Sequence, residues 1–181
     1  MSLAAPAHVI QFWRDAGPDK WFVAKEAFDH EIGTRFLTTH EAAARGELAR
    51  WQESPEGTLA LLILLDQFPR NMFRGAARAF ATDPLARSIA EKALARGFDK
   101  SVDQALRLFF YLPFMHSETL ADQDRSLELF EGLGDAEQLK YAVIHRDIIR
   151  RFGRFPHRND VLGRAATPAE RSFLDEGGFA G

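Results

Sequence analysis

The chain has 181 residues and a net charge of −3, with 46% apolar and 27% charged residues. That balance belongs to an ordinary globular protein, which excludes intrinsic disorder and argues against a protein whose main task is coating nucleic acid. The absence of cysteine excludes a disulfide scaffold, a thiolate nucleophile and zinc–thiolate or iron–sulfur centres.

A chain of this length can bury one core without staples, so a single helical domain over residues 1–181 is expected. Ala and Leu together number 47 against 19 for Val, Ile and Thr, which favours helix throughout. The first residues lack a basic stretch followed by a long apolar one, so a cytoplasmic protein is expected. The strongest apolar run, Leu59 to Leu65, is seven residues long, far short of the ~20 that a membrane span needs.

In chain order, the first amphipathic helix covers Ala7 to Asp15 and stops at Gly17-Pro18. A long helix follows from about Phe22 to Arg45, with Phe28, Ile32 and Phe36 on one face and Gly46 after it. Leu48 and Trp51 anchor a short helical turn. Ser54 as N-cap and Pro55 at the first helical position open an apolar helix that should end before Pro69. Asp83-Pro84 repeats that signature for a helix reaching Gly97. Ser101 and Gln104 have capping-box spacing, and Pro113 should end the helix they begin. Ser117 caps the next, which runs to Gly132 and Gly134. Asp135 starts another to Phe152, and Thr167-Pro168-Ala169-Glu170 starts a last short one ending at Gly177. No stretch alternates with period two. The expected class is all-α: antiparallel helix pairs in a compact superhelix around one apolar central helix.

Five stretches resemble a known family. They are Phe12-Trp13, Lys20 to Phe22, Leu65 to Gly75 (LDQFPRNMFRG), Pro113 to Glu118 (PFMHSE) and Phe152 to Arg164 (FGRFPHRNDVLGR). In order and spanning nearly the whole chain, they are similar to the bacterial domain-of-unknown-function family 924. The resemblance implies an all-helical fold similar to tetratricopeptide superhelices. It brings no assigned reaction, cofactor or catalytic residue. Arg14 departs from the aromatic expected after the Phe-Trp pair.

Three segments could carry chemistry. Asp66-Gln67 ends the apolar helix, where a carboxylate opposes the helix dipole and a buried one needs a cation; Arg70 is at hand, with Asn71 as a neutral partner. That arrangement reads first as an ion-paired turn and second as a ligand site. In the helix before Phe152, a 100° step puts His145 on the core side with Tyr141, Ile148, Ile149 and Phe152. Such a histidine is either a satisfied core residue or a base. His116 and Glu118 flank Ser117, too few ligands for a metal and without a metal-binding helical spacing, so no metal or cofactor is expected.

The segment from His145 to Arg164 carries a local charge of +4 before its histidines are counted. Its loop holds Arg154, His157, Arg158 and Asn159 between Gly153 and the end of the segment, a shaped loop able to grip an anion. No GxSxG elbow, phosphate loop or dinucleotide fingerprint occurs.

These residues support a binding protein for a peptide or an anionic small molecule. Two alternatives are a cofactor-independent hydrolase-like enzyme using Asp66 or His145 as base, and an RNA-associated helical protein. The oligomeric state is not legible. The segments around Asp66, His116 and Arg158 are expected to converge, because each places charged or amide groups beside a proline at a helix end.

Overall fold

Leu59 to Leu65, apolar on every side, is buried on every side: none of the seven exceeds 2% exposure. The computed structural model describes residues 3–179, and these form helices and turns without a strand. The all-α expectation holds. The α-helices are α1 (Pro6–Ala16), α2 (Pro18–Trp21), α3 (Glu26–Ala44), α4 (Pro55–Leu62), α5 (Phe68–Met72), α6 (Asp83–Ala95), α7 (Leu112–Met115), α8 (Leu120–Leu133), α9 (Ala136–Phe152) and α10 (Pro168–Asp175). Short 3-10 turns lie between several of them. The chain divides into two compact units, one of residues up to Arg74 with Arg78–Pro113, the other of Gly75–Ala77 with the chain from Phe114 onward.

The first unit is built round α4, which α1 and α6 flank. Phe12, Trp13, Phe28, Phe36, Phe68 and Phe109 gather beside it, with ring centroids 4.9–6.1 Å apart. Stacked, tilted and edge-on contacts of this kind add to the gain from area burial. Gly57, in the first turn of α4, cannot carry a side chain: a Cβ there would lie 2.2 Å from the Trp51 carbonyl oxygen.

The helical path does not stop before Pro69. Pro69 has no N–H to offer the preceding turn, and the chain widens there into a π-helical turn over Ile63–Gln67 before continuing as α5. Side chains supply the missing donors. His40 Nδ1–H bonds the Leu64 carbonyl at 2.8 Å, Thr82 Oγ–H bonds that of Leu65 at 2.5 Å, and Arg70 bonds that of Asp66.

Two expected caps form. Ser54 accepts from Gly57 N–H, and Thr167 and Glu170 complete a reciprocal capping box. Other boundaries need correction. Asp83 is not an N-cap: α6 already includes it, and Arg70 draws its carboxylate away from the first-turn amides. Ser101 closes one 3-10 turn while Asp103 caps the next, and Pro113 lies inside α7 instead of ending a helix. Ser117 is not the N-cap of α8 either; that position is Thr119, while Ser117 donates to Asp122. The helix expected from Phe22 begins at Glu26.

The second unit centres on the hairpin of α8 and α9. Gly134 at φ 77° ends α8, and Asp135 caps α9 through the amides of Glu137 and Gln138. Ile148, Ile149 and Phe155 form its small core, against which Ile144, Phe152, Phe173 and Phe179 pack. Tyr141 stands 39% exposed instead of joining the core face, because it lies a further turn from that core than His145.

Candidate functional site

In the first unit, the charges near the π-helical turn close on one another. Asp66 is 1% exposed and accepts from Gln67 Nε2 at 2.5 Å. Arg70 lies 3.4 Å from the Asp66 carboxylate and clasps Asp83 through two bonds of 3.0 Å. Burial alone would lower the Arg70 pKa, but the carboxylates of Asp66 and Asp83 outweigh it and raise it. Asn71 donates to Asp29 at 2.7 Å, and Arg74 pairs with the same carboxylate. An open groove of about 920 Å³ runs beside these two, lined by α3 and α5 residues including His30, Gly33, Leu37 and Asn71.

The second unit brings the other two segments together. Glu118 takes two bonds from Arg164, at 2.6 and 3.0 Å, and one from the Phe155 amide at 2.8 Å. Burial would raise the Glu118 pKa, but these bonds hold it below the ordinary value. Arg164 also bonds Asn159 Oδ1 at 3.0 Å, which ties the loop after α9 to the segment before α8. Arg154 makes a bidentate pair with Glu170 at 2.6 and 2.8 Å. Together with the Thr167 amide it holds the Glu170 carboxyl down at about 2. Glu170 therefore serves two purposes, capping α10 and pinning the loop.

Inside this frame sit three imidazoles. His145 is 7% exposed, and its Nδ1–H donates to the Tyr141 carbonyl at 2.8 Å, leaving Nε2 as an acceptor. Its ring centre lies 6.4 Å from that of His116, 5.4 Å from Phe155 and 4.6 Å from Phe179. His157 meets Phe155 and Phe179 at 5.7 and 5.8 Å. Arg158, 6% exposed, lays its guanidinium over the Phe155 ring at 4.5 Å. Burial, followed by the charges of His116, Arg158 and His157, lowers the His145 pKa to about 3. This imidazole is neutral at pH 7.

Gln123 brackets His116 by donating to the carbonyls of Met115 and Ser117, both at 2.7 Å. Its own Oε1 and the Ser126 hydroxyl one turn further along α8 are buried and make no hydrogen bond. Buried polar atoms of that kind are uncommon and call for a water or a ligand atom.

Of the residues singled out from sequence, Asp66, Gln67, Arg70 and Asn71 thus belong to the first unit. His116, Glu118, His145, Arg154, His157, Arg158 and Asn159 belong to the second. Sequence reasoning missed Gln123, Ser126, Glu170 and Phe179. Only Glu170 carried a signal, its capping-box position. Among the described residues, no group of three acidic or histidine side chains is arranged to hold a metal ion, and no helix is long and apolar enough to cross a membrane.

Comparison with known proteins agrees with the all-helical fold. A family model described as a bacterial protein of unknown function, DUF924, matches residues 9–178. The solved structure of ATU0120, a protein of unknown function from Agrobacterium tumefaciens, is similar at 53% identity and a TM-score of 0.92, over 95% of this chain and 97% of that one. No curated protein matches the sequence.

Proposed function

We propose that this chain, which belongs to the DUF924 family of bacterial proteins, binds a small anionic molecule at the histidine cluster of its second unit. One observation carries the reading: the His116, His145 and His157 rings and the buried Arg158 guanidinium gather with Phe155 and Phe179 in one cluster. Arg154 and Arg164 are engaged by Glu170 and Glu118 and shape the loop, and His116, His157 and Arg158 are the ligand contacts in this reading. An anion would favour the protonated form of His116 and His157 and accept hydrogen bonds from them. His145 Nε2 is an acceptor here, and a pKa near 3 makes it a weak base at neutral pH, which favours binding over base catalysis.

Calorimetric titration with inorganic phosphate and with acetate tests this. At least one should bind, and Arg158→Gln or His116→Gln should weaken it about tenfold, equivalent to about 1.4 kcal/mol. Equal affinity in both variants, or no binding of either anion, overturns the reading. The groove beside α3 supports a second reading, a peptide ligand. Gly33 has open space where a Cβ would project, so a side chain there would extend into the groove it lines. Gly33→Leu should leave anion binding unchanged, and loss of a peptide ligand in that variant would move the binding function to the groove.

A further inference from the structure

A second hollow lies in the first unit, where α6 faces the start of α4 and the 3-10 turn Ala49–Glu53 before it. Its volume of about 350 Å³ is at the small end of the usual range for ligand sites. Ile89, Lys92, Ala93 and Arg96 recur at i, i+3, i+4 and i+7, so one stripe of α6 forms most of its wall, with the exposed Ala95 beside them. Thr58 and Gln52 complete the lining from the α4 side. The Thr58 hydroxyl donates to the Ser54 carbonyl at 2.8 Å, which leaves that residue a mainly apolar part of the wall. Among the described residues, two cations and no carboxylate line the hollow. Elsewhere on α6 a cation has its acid one turn on: Arg87 pairs with Glu91 at 2.6 Å. Lys92 and Arg96 stand in the same relation to each other, and like charges so placed repel. The helix dipole favours cations at this end of α6 but gives them no counter-ion.

We propose that this hollow binds a short aliphatic carboxylate, with the head group between Lys92 and Arg96 and the chain against Ile89, Ala93 and Ala95. Arg96 is set in place for it: Nη1 bonds the Gln52 carbonyl at 2.8 Å, and the guanidinium lies 4.1 Å over the Phe98 ring. Its Nε and Nη2 make no hydrogen bond among the described residues, and Lys92 has neither an ion pair nor a hydrogen bond there. The Gln52 side-chain amide is equally unengaged among them, so it offers one more donor. A carboxylate accepts from a guanidinium and an ammonium together and neutralises the repulsion between them. Phosphate meets the same cations but has nothing to place on the apolar wall, so chain length sets the preference for an aliphatic acid. The site belongs to the first unit and the histidine cluster to the second, and neither proposal depends on the other.

Calorimetric titration with hexanoate, acetate and hexylamine tests this. Hexanoate should bind at least about tenfold more tightly than acetate, the factor that about two buried CH₂ groups supply, and hexylamine should not bind. Methyl resonances of Ile89 and Ala93 should shift as hexanoate is added. Lys92→Gln should weaken hexanoate about fivefold, as expected for a partly exposed charge pair, and Lys92→Arg should restore it. Lys92 is exposed and engages no described residue, so both variants should keep the wild-type melting temperature, and circular dichroism checks that they fold. Equal affinity for hexanoate and acetate, hexylamine binding as tightly as hexanoate, or unchanged hexanoate affinity in Lys92→Gln overturns the proposal. Hexanoate binding lost in His116→Gln but kept in Lys92→Gln also overturns it and assigns the acid to the histidine cluster. Binding of phosphate or acetate without any of hexanoate overturns this site alone and leaves the histidine cluster standing.

Discussion

His145 shows how far one side chain can depart from its solution behaviour and what that costs in acid. Its imidazole is held neutral by burial and by the charges of His116, Arg158 and His157, with a folded-state pKa of about 3. In the unfolded chain it titrates near 6.5. Between those values the unfolded state binds a proton that the folded state refuses, so stability is full above about pH 6.5 and falls as pH drops. The slope is about 1.4 kcal/mol per pH unit for one such group. His40, also lowered by burial, acts in the same direction. Below the ordinary carboxylate range Glu170, held at about 2, and Glu118 add their own losses as they are protonated. Replacing His145 with Gln, which can still donate to the Tyr141 carbonyl, should flatten the fall in melting temperature between pH 6.5 and 4.5 relative to wild type. Parallel profiles for the two proteins would mean that His145 titrates normally.

At the level of elements, the run through Pro69 shows where local sequence stops being sufficient. Proline forbids an ordinary helical bond, and read locally it ends the helix. The chain continues because His40 and Thr82 donate to the carbonyls left over, from 24 and 17 residues away. Thr82→Val keeps the shape and removes the donor, leaving the Leu65 carbonyl buried and unpaired. A loss of about 1–3 kcal/mol in denaturant unfolding is expected, against near-neutrality if the bond is incidental. The same division explains which boundaries were legible. Ser54 and Thr167 cap their helices through partners three residues on, so spacing reveals them. Asp83 has the same local signature but is claimed by Arg70, 13 residues back. In the site, the inward direction of His145 follows from helical periodicity. The clasp of Glu118 by Arg164, 46 residues away, depends on tertiary packing and leaves no local trace.

Over the whole molecule, the charge balance decides between ligands of the same sign but different size. An overall charge of −3 repels a polyanion at a distance, and the stretch from His145 to Arg164, locally +4, is the largest local excess that the sequence reading singles out against it. Three of its six arginines are engaged in ion pairs, Arg146 with Asp124, Arg154 with Glu170 and Arg164 with Glu118, while Arg150 and Arg151 lie exposed at the end of α9. Neutralising more phosphates along an RNA backbone than Arg150 and Arg151 can reach would require breaking these pairs, and each such contact would then contribute less than an open Arg does. A small anion at the histidine cluster needs none of them to open. Single-stranded RNA should therefore show no retardation in a mobility-shift assay at about 150 mM salt, where non-specific binders have dissociation constants of roughly 10⁻⁴–10⁻⁶ M. Micromolar RNA binding that weakens steeply with salt would reverse the argument. It would mean that those carboxylates release their arginines, and that the loop after α9 is a polyanion surface instead of the frame of a small-molecule site.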